Sequence, residues 1–405
     1  MADTLRDKLN PLYASLFAAP GVFDRPAVLE ERATCDKCAM CDHGQIAPVE
    51  MDYFEPNAKC CTYYPTLANY LVGAILADQG EELAEGRRRL REKIATRIGV
   101  TPENVMASRK YTLIYTAASS SGAFGRSKNL LCPYFDVANG GRCTVWQYRD
   151  AVCSTYFCKH ADGKPGWEFW NTVKGYLSHV ERSLAAATAR TVDPTVTEPA
   201  IEQFRLSLED VEDLPPTATE YARYWGKWVG REEEFYVACY EQARKVKVEE
   251  FALNVDDTPN GRRYAAELEA RYDAIKAKTV LPSSLVRASG MKTRHAGENV
   301  VVTSYNAYDA LSIERELYEV LGKLDGKQTL AENLARLDKE ENVQLAPELL
   351  HYLYTHGVVV APDPPKADAK AAPGPVDPHA KAMQPKVNRK DRRAAQQAVK
   401  KKSKV

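Results

Sequence analysis

Apolar residues recur at helical spacing along much of the chain. Residues 1–34 read as a helical lead-in with Leu5, Leu9, Leu16 and Phe17 as packing positions. After a stretch over 35–61 whose Gly44, Pro48, Pro56 and Asn57 mark loop, Leu67, Tyr70, Leu71, Ala74, Ile75 and Leu83 fall three and four apart, followed by Leu90, Ile94 and Ile98. Gly99 ends this run and Thr101-Pro102 opens a new segment. Tyr111 to Tyr115 reads as a short strand, and residues 119–125 as a small-residue loop. Gly163, Pro165 and Gly166 close the region. From Trp167 onward a stripe of Trp167, Trp170, Val173, Leu177, Val180 and Leu184 predicts a long helix.

A Thr/Pro-rich link spans 191–199. Helical segments continue to about Lys278, with breaks at Pro215-Pro216 and at Pro259-Asn260-Gly261. The aromatic residues Tyr221, Tyr224, Trp225, Trp228, Phe235 and Tyr236 suit packing between helices. Over 291–361 the pattern changes. Val300-Val301-Val302 signals a strand, Leu311 to Leu324 a helix, and Asp325-Gly326 a turn. Thr329-Leu330-Ala331-Glu332 has the form of a capping box that starts a second helix. Pro347 fits the first turn of a third helix stopped at Gly357, and Val358-Val359-Val360 closes with a strand. From Pro362 the chain is rich in Pro, Ala, Lys and Asp without apolar periodicity, so it cannot offset its ordering entropy and reads as disordered.

The fold class expected is therefore mainly α with small β elements. It comprises a Cys-rich domain (1–190), a helical middle (191–290), a small winged-helix-like domain (291–361) and a disordered basic tail (362–405). The 405 residues sum to zero formal charge, but residues 381–405 carry ten Lys or Arg and one acid, a net +9, which leaves −9 on the preceding 380. The tail suits contact with nucleic acid or acidic protein, or service as a solvated solubilising segment. No run approaches the roughly 18 apolar residues of a membrane span. The first residues lack the basic-then-apolar order of an export signal, so the expected setting is the cytoplasm, where disulfides are rare.

That setting changes the reading of the cysteines. Nine of the ten fall between Cys35 and Cys158: Cys35, Cys38, Cys41, Cys60, Cys61, Cys132, Cys143, Cys153 and Cys158. Cys35-x2-Cys38-x2-Cys41 lets consecutive sulfurs turn toward one centre and matches the first three ligands of a bacterial ferredoxin run. Cys60-Cys61 is a vicinal pair whose side chains point apart, so the two serve different metals or only one is a ligand. All nine are candidate ligands for zinc or for an iron–sulfur cluster; two four-thiolate zinc sites would consume eight sulfurs at about 2.3 Å each. Lys37, Lys59, Arg142, Arg149 and Lys159 are candidates to balance thiolate charge, and His43 and His160 are candidate substitute ligands, more simply read as exposed or supporting residues. Cys239, alone in a helical stretch, reads as an inert core thiol.

Cys35-x2-Cys38-x2-Cys41 followed by Cys132-Pro133-Tyr134-Phe135, Cys143-x2-Trp146-x2-Arg149 and Cys153-x4-Cys158 resembles the YkgJ-like cysteine-cluster family, a zinc- or iron-chelating domain. The resemblance covers about residues 35–160. Trp146 and Asp150 stand where that family has Tyr and Pro, and Asp42 where it has a fourth clustered Cys, which Cys60 or Cys61 would replace. The phrase Leu321-Gly-Lys-Leu-Asp-Gly-Lys-Gln-Thr-Leu330 resembles the PqqD-like winged-helix domains, which bind peptides beside metalloenzymes. These observations lead to the expectation of an intracellular metal-binding protein with redox or metal-handling work. The alternative is a zinc-stapled scaffold binding protein, peptide or nucleic acid through its winged-helix-like domain and tail. No nucleotide-binding glycine loop, hydrolytic triad or radical-enzyme cysteine motif is present, so no catalytic residue is assigned.

Overall fold

A computed structural model describes residues 3–17, 21–31, 33, 35, 37–41, 53–118, 122–138, 140–199, 206–277 and 280–362. His43 and residues 363–405 of the basic tail lie outside these. The chain is mainly helical, with small antiparallel sheets. Among the described residues no helix is long and apolar enough to cross a membrane.

The helical lead-in is realised as short turns, with a single turn α1 (Pro11–Ala14) capped by the side chain of Asn10. Strand β1 (Leu67–Ala68) leads into α2 (Asn69–Ala77), every residue of which from Asn69 to Leu76 is buried. A helix apolar on all faces belongs at the centre of a core. α2 is crossed so closely by α8 (Glu232–Ala243) that a Cβ on Gly73 would lie 1.9 Å from the Tyr236 carbonyl oxygen. Asn69 is buried because its amide is used: Nδ2 donates to the carbonyls of Pro102 (3.0 Å) and Ala185 (2.9 Å), and Oδ1 accepts from the Thr188 hydroxyl (3.1 Å). α3 (Ala84–Ala95) follows, and β2 (Asn104–Val105) pairs with β1.

The segment expected as a strand at Tyr111–Tyr115 is instead α4 (Arg109–Ala118). The Ser108 hydroxyl accepts from the Tyr111 N–H, and the rings of Tyr111 and Tyr115, one helical turn apart, stack at 5.9 Å. This local capping and ring pairing overrides the strand preference of tyrosine. Strands β3 (Phe135–Asp136) and β4 (Arg142–Cys143) form a small hairpin, followed by the short helix α5 (Ala151–Thr155).

α6 (Gly163–Val192) is about 45 Å long at the usual rise per residue. It begins before the expected Trp167, taking Pro165 and Gly166 into its first turns rather than leaving them in a loop. Trp170, Val173, Leu177, Val180 and Leu184 are buried as its stripe requires. α7 (Ala218–Trp225), α8, α9 (Val248–Phe251) and α10 (Pro259–Ala277) complete the helical part. Pro259 begins α10 rather than breaking a helix, because the Thr258 hydroxyl caps it from outside by accepting the Gly261 N–H at 3.0 Å. The aromatic residues Tyr221, Tyr224, Trp225, Phe235 and Tyr236 are buried between helices.

A second core contains Leu285, Val300, Val302, Ile313, Leu321, Leu337, Leu353 and Val359. Around it lie β5 (Val286–Arg287), the meander β6 (Lys292–Ala296), β7 (Asn299–Thr303) and β8 (Leu311–Glu314), helices α11 (Arg315–Leu321), α12 (Leu330–Glu341) and α13 (Pro347–Thr355), and β9 (Val359–Val360) paired back to β5. The expected helix over Leu311–Leu324 starts only at Arg315. Leu311 and Ile313 alternate with more exposed Ser312 and Glu314 and pair with β7, a period of two rather than 3.6. The Thr329/Glu332 capping box is formed, and Gly357 at φ +68° ends α13.

Candidate metal centre

All ten cysteines are free thiols, and hydrogen bonds to the backbone hold several of the N-terminal nine in place. The Cys41 N–H donates to the Cys38 carbonyl (3.0 Å), and the Cys132 N–H to the Cys61 carbonyl (2.8 Å). In the β3–β4 hairpin Phe135 is paired with Cys143. Asp150 caps α5 and receives the Cys153 N–H at 2.8 Å and the Thr66 N–H at 3.3 Å. Arg149 donates to the carbonyls of Trp146 (3.0 Å) and Cys153 (3.2 Å). Lys59, held at φ +50°, donates to the carbonyls of Cys35 (3.1 Å) and Gly141 (3.0 Å), tying the first cysteine group to the hairpin turn.

Two neighbourhoods result. A cavity of about 230 Å³ is lined by Cys35, Cys60, Cys61, Cys132, Cys143 and Cys153. Cys38, Cys41 and Cys158 instead cluster with Met40 and Phe54, with Cys60 packed against them. Cys61, Cys132 and Cys143 pack against the main core, so the vicinal pair, though both members line the cavity, also packs in two directions, Cys61 toward the main core and Cys60 toward the second cluster. Cys239 is fully buried on α8, away from both, and its burial pushes the thiol up to about 12. Among the described residues, no group of three or more His, Cys, Asp or Glu side chains stands ready-made around a metal position.

Burial governs the electrostatics. It pushes the thiols of Cys41 and Cys158 up to about 12, and raises Cys35 and Cys143. Cys60, hydrogen-bonded to Cys61, and the buried Cys132 and Cys153 lie well above the thiol range. Neighbouring thiols add to the rise: Cys143 and Cys132 on Cys153, Cys38 and Cys60 on Cys158. The opposing cations are Arg149 for Cys35, Cys60 and Cys143, Lys59 for Cys35 and Cys41, and Lys159 for Cys158. Lys37 and Arg142 are exposed. His160 is buried, with its N–H donating to Asp309 at 3.2 Å and its ring beside Phe157 and Tyr305.

Several site residues carry no signal in the sequence. Phe54, Phe124, Tyr156 and Tyr308 form a ring cluster over Cys38, Cys41 and Cys158. Asn306, from the loop between β7 and β8, donates its side-chain amide to the Cys158 carbonyl at 3.1 Å. Glu181 on α6 is buried and sits with Asp150 at the start of α5. Burial raises Glu181 well above the carboxylate range and Asp150 to about 6. Neither a family model, a curated protein nor a solved structure matches the chain.

Proposed function

We propose that the chain is a metal-binding protein whose thiols hold zinc or an iron–sulfur cluster in two centres. Cys38, Cys41, Cys60 and Cys158 would supply one, and Cys61, Cys132, Cys143 and Cys153 the other, with Cys35 between them. The single observation that carries this reading is the gathering of six cysteines from three separate segments around one small cavity. Free thiols gathered this closely suit ligation of a metal. Burial disfavours ionisation of Cys35, Cys41, Cys132, Cys143, Cys153 and Cys158, and a dication or cluster supplies the charge that reverses this. Arg149, Lys59 and Lys159 offset the remaining negative charge.

On this reading the segment of residues 35–160 is of the YkgJ-like kind, and the C-terminal unit is winged-helix-like. Support for the latter is its own core with three helices and an antiparallel meander. Asn306 and Tyr308 of that unit touch the cysteine region, so metal loading and the posture of this loop are coupled. That coupling suits metal handling with a protein or peptide partner.

The test is elemental analysis with an absorption spectrum on anaerobically purified full-length protein. Stoichiometric iron with sulfur-to-iron charge-transfer bands selects a cluster. Colourless protein with stoichiometric zinc selects zinc. Protein that holds neither metal, and whose thermal unfolding is indifferent to added zinc or to cluster reconstitution, refutes the proposal.

A further inference from the structure

A second cleft, of about 470 Å³, lies between the N-terminal turns, the loop of residues 146–149 and the end of α8. Its size is that of a small-molecule site. Among the described residues its lining contains three cations, Lys8, Arg149 and Arg244, and no carboxylate. The charge is placed on rings: the Arg149 guanidinium lies 3.4 Å from the centroid of Trp146, and that of Arg244 lies 5.6 Å from the centroid of Tyr240. Stacking keeps the guanidinium planes fixed, and with Arg149 Nε and Nη1 donating to the carbonyls of Trp146 and Cys153, its Nη2 and its charge are what it offers a planar oxyanion. Lys8 and Arg244 also pair with Asp3 and Glu241, but these are exposed ion pairs of little strength, readily exchanged for a ligand.

Two further observations point to an occupant. Trp146 is 49% exposed, unusual for the largest apolar side chain, and it forms part of the cleft wall. Asn10 lines the same wall. Its Oδ1 accepts the Leu12 N–H at 3.0 Å, while its Nδ2 is buried and meets no acceptor among the described residues. A buried donor without an acceptor is unfavourable, and an accepting ligand that reaches it as this wall adjusts removes the penalty.

We propose that this cleft binds a small molecule consisting of a flat ring that carries a carboxylate or phosphate. The ring lies against Trp146, the anion sits among Lys8, Arg149 and Arg244, and an acceptor atom meets the Asn10 amide. Trp146 and Arg149 also line the thiol cavity, so the ligand would lie one side-chain layer from the cysteines.

Isothermal titration of the full chain tests this with AMP, 4-hydroxybenzoate, adenosine and inorganic phosphate as probes. Saturable binding of AMP or of 4-hydroxybenzoate is expected, the stronger of the two identifying phosphate or carboxylate as the anion. Adenosine and phosphate alone should bind about tenfold or more weakly, because each lacks one half of the recognition. Lys8→Gln and Arg244→Gln, both outside the thiol cavity, should each weaken binding by about fivefold or more. Thermal unfolding and metal content of these two variants should match the parent. Absence of saturable binding by both anionic aromatics, or binding unchanged in Lys8→Gln and Arg244→Gln, overturns the proposal. The titration reads heat of ligand binding and the thiol test reads metal content, so failure of one is distinguishable from failure of the other.

Discussion

The Cys132 N–H donates to the carbonyl oxygen of Cys61 at 2.8 Å, which stitches the second cysteine group to the first by backbone alone. That bond places Cys61 with Cys132 and Cys143, while its neighbour Cys60 packs with Cys38, Cys41 and Cys158. If the vicinal pair serves two centres, ligand substitutions should fall into two classes. Cys41→Ser and Cys158→Ser should each remove about half of the bound metal, and Cys132→Ser and Cys143→Ser the other half, because a closed four-ligand site rarely survives loss of one thiolate. Cys239→Ser should retain all of it. Elemental analysis of the five variants checks this, and loss of all the metal in any single ligand variant, or loss in Cys239→Ser, would contradict the two-centre arrangement.

Helix α12 is started by a reciprocal cap. The Thr329 hydroxyl accepts the Glu332 N–H at 3.2 Å, and the Glu332 carboxylate accepts the Thr329 N–H at 2.8 Å. Thr329→Ala should therefore lower stability by about 1 kcal/mol, with Thr329→Ser nearly neutral. Urea unfolding followed by far-ultraviolet circular dichroism measures the difference, and the effect should leave metal content untouched.

The capping box was readable because it is local: three residues specify it. The same holds for the α6 stripe and for Gly357. Features that depend on distant partners were not readable. Lys292 to His295 show no apolar alternation, since β6 is an exposed edge strand paired to β7. Nothing near Asn306 announces that its amide reaches Cys158. The clustering of cysteines along the chain marked the region for metal chemistry, but the division of Cys60 from Cys61 depends on the bond between Cys61 and Cys132, which no spacing encodes. Tyr111 shows the reverse error, a residue with strand preference taken into a helix by Ser108.

Asp256 gives a pH dependence whose sign follows from its position. It is buried, accepts the Tyr176 hydroxyl at 2.8 Å through Oδ1, and its Oδ2 meets no hydrogen-bond donor among the described residues. Burial raises its carboxyl from 3.8 to about 6. The folded state therefore holds this proton more tightly than the unfolded chain. Stability from this group is fully present below pH 3.8 and falls as pH rises to about 6. The loss is about 1–2 kcal/mol, allowing for water that reaches the site. Asp256→Asn should flatten that part of the stability profile and raise stability at pH 7. Urea midpoints from pH 4 to pH 7 on both proteins measure it, and a larger slope in the variant would contradict the assignment.

The contact between α2 and α8 offers the sharpest test of the helical core. A methyl group on Gly73 would stand 1.9 Å from the Tyr236 carbonyl oxygen and 2.8 Å from the Tyr240 Cβ. Neither neighbour can yield, because one is backbone within a helix and the other is attached directly to it. Gly73→Ala should thus force the two helices apart and cost about 3 kcal/mol or more, despite the better helix propensity of alanine. Gly290→Ala is the control, since nothing lies within 4 Å of its added methyl. Urea unfolding that ranks the two variants equally would mean that α2 and α8 do not approach in solution as closely as here. The consequence extends to the cysteines: α2 follows directly from the segment of Cys60 and Cys61 through β1, so displacement of α2 should also lower metal content, while Gly290→Ala leaves it unchanged.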